Sequence, residues 1–424
     1  MRPSLPESRS STSTAFLNDR YELTMLQAAL QSGVAGEHAV FEVFARRLPV
    51  GRRYGVVAGL DRLIDAIERF RFGAAELEHL AEIVDERTLE HLAGWHFAGD
   101  VDAYREGELF FPESPVLTVE ARFGDAVVLE TLVLSVLNHD SAVASAAARI
   151  RVAAGDRQLI EMGGRRTHEQ AAVAAARAAY VAGFDATSNL EAGRTYGIPT
   201  VGTSAHAFTL AHPDELTAFA AQVKALGRGT TLLVDTFDVE QGIRNAVDVA
   251  GLDLGAIRLD SGDLVEGARR ARALLDELGA TRTRIVASGD LDEREIERLA
   301  AAPVDSYGVG TALVTGSGAP TAELIYKLVA RAGVPVSKRS PGKETSGGRK
   351  WAYRVLDADG RARDERLLPS PAPIGRALQV PVLRGGEVVH RPSLMEIRQH
   401  HVAALAELPP EALLLEPGPP ALRG

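Results

Sequence analysis

The chain of 424 residues contains no cysteine. That absence removes a disulfide framework, a thiolate nucleophile and any zinc site built on Cys, and it gives no sign of secretion. Long apolar runs are missing too. The most apolar stretch, 126–137, is interrupted by Glu130 and Thr131, so no segment is expected to span a membrane. The opening segment (MRPSLPESRSSTSTA) is polar, rich in Ser and Thr, and has no apolar h-region, so it reads as a loose leader and not a signal peptide. Together these features point to a cytoplasmic protein. Positive charge is in deficit: 47 Lys and Arg stand against 57 Asp and Glu, a formal net charge of -10. Such a field disfavours non-specific binding to nucleic acid or to an anionic membrane. It leaves anionic small substrates open, because a pocket can be locally basic or recruit Mg²⁺.

What is present can build a large core. At 46% hydrophobic and 25% charged residues, the composition is that of a globular protein. The length suggests two or three domains, or one large α/β barrel taking more than half the chain. Residues 16–125 mix helical and strand-like segments. In 60–70, Leu60, Leu63, Ile64 and Ile67 share one helical face; 38–44 alternates like a strand. The stretch 109–119 carries Pro112 and Pro115 and reads as an edge or a connection. The rhythm then changes. Within 126–330, from about Gln158, short apolar runs alternate with helical patterns, giving about seven βα units. After Leu328 hairpin signals return, with 351–356 and 361–368 flanking an Asp359-Gly360 turn and a second turn at Gly385-Gly386. Residues 331–424 end in a proline-containing irregular tail.

In nearly every βα unit a polar, Gly-containing cluster follows the apolar run and precedes the helix. In a barrel those strand ends line a single mouth, where chemistry is built. The same residue types also serve as helix N-caps and turn residues. In GTSAH (202–206), His206 ends an apolar strand, and Asp235 and Asp238 (VDTFD) end the next. A carboxylate beside an imidazole orients it and stabilises its cation, as a base or nucleophile requires; a histidine there can equally be structural. Arg258 and Asp260 (IRLDSGD) are two apart on a strand and share a face. They form either a structural ion pair or a ligand site, with Asp260 and Asp263 on ribose hydroxyls or Mg²⁺ and Arg258 on an anion. Gly289-Asp290 and the Gly308-Val309-Gly310-Thr311 run end the last strands, where backbone N–H groups often meet phosphate. Arg165 and Arg166 (GGRR) are an anion clamp or a solvated pair, and the basic loop 338–350 is a surface run or a lid.

These segments, in this order, resemble the nicotinate phosphoribosyltransferase family. The motif DRYELTM (19–25) is similar to the family's N-terminal signature, and FEVFARRLPVGRRYGVVAGL (41–60) to its second. GGRR, GFDATSNLEAG, YGIPTVGTSAH, LLVDTFD, IRLDSGD, SGD and YGVGT follow in sequence. The resemblance implies an irregular phosphoribosyltransferase-type (β/α) barrel, with an α/β N-terminal domain completed by C-terminal chain. It implies joining of nicotinate to phosphoribosyl pyrophosphate, driven by ATP through phosphorylation of His206, with Mg²⁺ bound together with substrate. It further implies a homodimer with shared active sites, in which Tyr21 stacks on the pyridine ring from across the interface. Arg165 is expected near nicotinate and phosphate, Thr187, Ser188 and Asn189 in the base pocket, and Asp235 as the acid orienting His206. Arg258 and Asp260 are expected at substrate and ribose, and Gly289, Gly310 and Thr311 in phosphate-binding loops. Asn189 stands where nicotinamide-using relatives carry Asp, which favours a carboxylate-bearing base. Three residues depart from the pattern: Met162 replaces Phe, Ala207 replaces Ser, and Arg20 replaces Leu.

Overall fold

The computed structural model describes residues 13–338 and 346–422. Most of the leader and of the basic loop 338–350 therefore lie outside the described residues. The chain forms two compact units, one of 1–141, 321–412 and 417–424, the other of 142–320 and 413–416. The divisions at 141/142 and 320/321 differ from the 125/126 and 330/331 read from the sequence. The first falls within the helix Glu130–Ala154, whose unbroken periodicity hides it.

In the first unit an antiparallel sheet of seven strands carries His38–Ala45, Leu117–Arg122 and Asp100–Tyr104 at its centre. The returning chain completes it, with Leu324–Arg331 pairing along His38–Ala45 and Gln379–Arg384 along Asp100–Tyr104. Seven of the eight residues of His38–Ala45 are buried, so both faces are covered and polar alternation is lost. The helix Leu60–Glu68 buries Leu60, Leu63, Ile64 and Ile67 as their spacing predicts. Most of the stretch 109–119 is edge and connection, Leu109–Phe110 being half of a two-stranded sheet and 111–116 a link, but its last residues open an interior strand, Leu117–Arg122. Both prolines fall in the turn between Leu109–Phe110 and that strand, where no ladder hydrogen bond is lost. The hairpin Trp351–Leu356 with Ala362–Leu368 forms around Gly360 in the left-handed region, φ 76°. The proline-containing tail is irregular apart from the 3-10 turn Pro410–Leu413, but ahead of it Leu394–Ala406 is a helix opened by a Ser393/Glu396 capping box.

Glu22 on the helix Arg20–Ser32 is fully buried, and only Oε1 is satisfied, by the backbone N–H and hydroxyl of Thr131. Burial pushes its carboxyl up to about 7, against the two hydrogen bonds from Thr131 that pull it down. A carboxyl raised in the folded state gives stability that is complete below about 4.5 and lost as pH rises to about 7. Glu22→Gln is therefore expected to raise the melting temperature at pH 8 by several degrees, with the gain vanishing at pH 4 to 5. Thermal unfolding across that range checks it; a gain independent of pH would contradict the assignment to this carboxyl.

The second unit is a curled parallel sheet. Its strands run Ala186–Thr187, Gln158–Glu161, Ser306–Val309, Arg284–Ala287, Ala256–Leu259 and Thr231–Leu233. The first strand of the series, Gln158–Glu161, pairs with the last, Ser306–Val309, so the ring closes there. The IPTVG segment contributes only a bridge from Thr200 to Thr187, and the ring is open between it and Thr231–Leu233. That is the irregular barrel the motifs imply. The helix Glu169–Val181 buries Ala172, Ala174, Ala175, Ala176, Ala178 and Ala179, small side chains that suit its close packing beside the helices Leu190–Tyr196 and Thr311–Val314. Among the described residues no helix is long and apolar enough to cross a membrane.

Candidate active site

The helices Glu169–Val181, Leu190–Tyr196, Val239–Ala250, Leu264–Glu277, Glu293–Leu299 and Thr311–Val314 each follow a strand of the parallel sheet, so their N-caps sit on the side of the strands' C-terminal ends. Capping accounts for some of the polar residues found there. Asp238 accepts the N–H of Gln241, and Asp263 accepts those of Val265 and Glu266. Asp263 therefore has a structural task, carried by Oδ1, whatever part it takes beside Asp260. Asn189 caps the helix Leu190–Tyr196 through Oδ1, which accepts from Ala192 N–H at 2.9 Å. The cap fixes the carboxamide with Oδ1 engaged.

The remaining residues converge. His206 opens a short helix, His206–Leu210, directly after the GTSA segment. Its Nδ1 lies 3.1 Å from Thr236 Oγ1, and its Nε2 lies 3.8 Å from Asp235 Oδ1 and 3.9 Å from Asp260 Oδ2. The Asp235 side chain is 2% exposed while the imidazole is 39% exposed, so a buried acid stands behind an accessible ring. Asp235 Oδ2 accepts from the Asp260 N–H and the Ser261 hydroxyl, each at 2.8 Å. Its Oδ1 is buried with no hydrogen-bond partner. A carboxylate oxygen left bare beside an imidazole is costly unless the ring becomes cationic or donates to it.

The strand Ala256–Leu259 buries Ile257 and Leu259 and turns Arg258 the other way, as alternation requires. Arg258 donates to Thr203 Oγ1 at 2.5 Å, and its Nε is buried without a partner. Burial pulls its pKa down, against the opposite pull of Asp260 and Asp235. Asp260 accepts from the Ser288 hydroxyl at 2.5 Å through Oδ1. Arg258, Asp260, Gly289, Gly310 and Thr311 line one cavity of about 220 Å³ with Met162, Arg165 and Arg166. Gly289 has φ +104°, and a Cβ there would sit 2.3 Å from the Asp260 carbonyl oxygen. Asp290, on the same cavity, holds φ 49°, a conformation uncommon outside glycine. Met162 packs its sulfur where a side chain on Gly308 would stand, at 2.6 Å, so the softer residue is locked against the last strand.

The first two strand ends are tied together. Glu161 is 1% exposed; it accepts from Gly163 N–H and, at 2.5 Å, from the Thr187 hydroxyl. Thr187 Oγ1 in turn accepts from Asn189 N–H at 2.9 Å. Ser188 is exposed, and its N–H reaches the Glu161 carbonyl. Tyr21 belongs to the other unit; the residue is 48% exposed, and its hydroxyl pKa is raised by burial and then by Glu130. Among the described residues no group of three or more acids and imidazoles is placed to hold a metal ion.

Sequence reasoning overlooked Glu161, Thr203, Thr236, Ser261 and Ser288 as contributors. All but Glu161 lie inside or beside the quoted motifs, and the signal was a hydroxyl next to each charged candidate.

Residues 16–138 match the family described as the nicotinate phosphoribosyltransferase (NAPRTase) N-terminal domain. Over 419 residues the chain is 58% identical to nicotinate phosphoribosyltransferase pncB1 of Mycobacterium tuberculosis (strain ATCC 25618 / H37Rv), covering 96% of this chain and 94% of the relative. It is 39% identical over 356 residues to the nicotinate phosphoribosyltransferase of Bacillus subtilis (strain 168), covering 80% of this chain and 72% of the relative. Among solved structures, human nicotinic acid phosphoribosyltransferase superposes with a TM-score of 0.84 at 28% identity, covering 96% of this chain and 97% of that one.

Proposed function

The chain belongs to the nicotinate phosphoribosyltransferase family, and on that premise we propose a division of labour among its residues and a role for ATP. The reaction is attack of the nicotinate ring nitrogen on the anomeric carbon of phosphoribosyl pyrophosphate. A C–N bond forms, the bond to pyrophosphate oxygen breaks, and nicotinate mononucleotide is released. The protein has little covalent work in that step; it must hold two anions in line and stabilise the departing charge.

The cavity containing Arg258, Asp260, Gly289, Gly310 and Thr311 carries this reading, because a guanidinium, a free carboxylate oxygen and glycine-lined strand ends meet there. Arg258 holds phosphate, Asp260 the ribose hydroxyls, and the Gly289 and Gly310-Thr311 loops the phosphate oxygens. Arg165, with Thr187, Ser188 and Asn189, receives the pyridine carboxylate. Tyr21 stacks on the ring from the partner subunit of a homodimer. For Mg²⁺ the fit is that of a shared ligand: Asp260 Oδ1 is taken by Ser288, and Oδ2 remains toward the cleft. One such oxygen suits an ion that keeps its waters and arrives with the diphosphate. When bound, Mg²⁺ supplies charge neutralisation on the leaving pyrophosphate.

His206 is the residue we assign to ATP. A ring nitrogen attacks the γ-phosphorus, ADP leaves, and hydrolysis of the phosphoimidazole returns the free ring. Asp235, buried behind Nε2, orients the ring and stabilises its positive charge. These substrates are in keeping with a cytoplasmic location.

The test supplies phosphoribosyl pyrophosphate with nicotinate, nicotinamide or quinolinate, with and without ATP, and follows the mononucleotide formed. Product from nicotinate, increased by ATP, is expected; product from nicotinamide alone would overturn the base assignment. His206→Ala is expected to abolish acid-labile phosphate uptake from labelled ATP. Labelling retained in that variant would place the acceptor elsewhere.

A further inference from the structure

We propose that Glu161 is a positioning residue for base recognition, tying the 162–166 loop to the 187–189 loop so that the Asn189 carboxamide faces the pyridine carboxylate. This rests on the reading of Thr187, Ser188 and Asn189 as the base pocket.

Glu161 ends the strand Gln158–Glu161 and is almost fully buried, yet the groups that hold its carboxylate are neutral: Gly163 N–H on Oε1 and the Thr187 hydroxyl on Oε2. A buried carboxylate without a cation is expensive, and burial here pushes its pKa up. The connectivity explains why an acceptor-only group suits the position. Thr187 Oγ1 already accepts from Asn189 N–H, so its own proton must go to a further acceptor. The other carboxylate oxygen takes the Gly163 N–H at the same time, and the Glu161 carbonyl takes the Ser188 N–H. One residue thus fixes Gly163, Thr187 and Ser188 directly, and Asn189 through Thr187.

The far end of this relay is the functional one. Asn189 Oδ1 is consumed by the helix cap, so its amide presents only donors to a ligand. A Cβ built on Gly164 would stand 4.0 Å from Asn189 Nδ2, so the amide lies over the loop that carries Arg165. An amide donor on one loop and a guanidinium on the other suit the carboxylate of a planar aromatic acid. Their spacing depends on the two loops being held in register, which is what Glu161 does.

Glutamine at 161 keeps size and one acceptor but presents an NH₂ to the other partner, and the Thr187 hydroxyl cannot satisfy both that NH₂ and its own proton. Steady-state kinetics of Glu161→Gln should show the KM for nicotinate raised at least about tenfold, with the KM for phosphoribosyl pyrophosphate changed less than about twofold. The preference for nicotinate over nicotinamide should narrow by a similar factor. Thr187→Val, which keeps the side-chain shape and removes the relay hydroxyl, should shift the same constant. The double variant should lose less than the product of the single losses. If Glu161→Gln does not fold, Thr187→Val carries the test alone. An unchanged nicotinate KM, or both KM values rising together while kcat and the melting temperature fall, would overturn the proposal. A parent protein that does not use nicotinate overturns the base-pocket reading beneath it; one that does, with an unmoved variant, overturns only the role of Glu161.

Discussion

Arg258→Met is expected to lower kcat/KM for phosphoribosyl pyrophosphate roughly 100- to 1000-fold while shifting the melting temperature by only a few degrees. The large kinetic effect follows from how the guanidinium is held. It has one firm protein contact, Thr203 Oγ1, and a buried Nε with no partner. A guanidinium that is desolvated but incompletely paired in the free protein is poised for an anion, and contact with charge developing on pyrophosphate, the role proposed for it, would be made in a setting that excludes much of the water. Asp260 and Asp235 keep it charged but do not neutralise the cavity for it, since neither forms an ion pair with it. The small effect on stability follows from the same facts. Removing the charge relieves a desolvation cost, and Asp260, with a side chain 34% exposed and hydrogen-bonded to Ser288, tolerates the loss of its neighbour. Arg258→Lys should recover part of the activity, because it restores charge without the planar fork. Initial-rate kinetics on both variants with thermal unfolding alongside decide the matter; a Met variant with near-parental kcat/KM would remove Arg258 from the phosphate site.

What the sequence could reveal of this site depended on distance along the chain. The strand-end clusters are local, each written within a few residues, so the barrel and most candidate positions were legible from the βα alternation. The partners that give those positions their character are not local. Thr203 and Arg258 are 55 residues apart, Ser288 and Asp260 are 28 apart, and Asp235 and the Asp260 N–H are 25 apart. No periodicity encodes such a meeting; only the pairing of the strands in the curled sheet produces it. Distinguishing a cap from a ligand was likewise beyond composition. Asp260 and Asp263 belong to the same motif, yet one points into the cavity and the other closes a helix. Two misses had a readable signal. Ser393 and Glu396 spell a capping box ahead of the helix Leu394–Ala406, masked by the prolines beyond it. Glu161 stood at the end of an apolar strand, where an acid needs an explanation.

The second large effect is expected from one methyl group. Gly289→Ala should cost about 2 to 4 kcal/mol of stability and at least about tenfold in kcat/KM, whereas Gly262→Ala should cost only about 1 kcal/mol. Both glycines have positive φ, +104° and +77°, so both carry the penalty of a left-handed backbone for an L residue. They differ in what the new Cβ meets. At Gly262 nothing lies within 4 Å; at Gly289 the Asp260 carbonyl oxygen would be at 2.3 Å, with the carbonyl carbon at 3.0 Å. Those atoms are backbone and cannot rotate away, so the loop after Arg284–Ala287 must separate from the end of Ala256–Leu259. That displacement pulls on the hydrogen bond from Ser288 to Asp260 and on the Asp260 N–H that Asp235 accepts, and through Asp235 it reaches His206. A single close approach between two strand ends thus sets Asp260 and the acid behind the imidazole together. Denaturant unfolding and kcat/KM measured on the two variants separate the terms: equal losses at 262 and 289 would mean that the contact with Asp260 is accommodated, and unequal stability with equal activity would mean that the site does not depend on it.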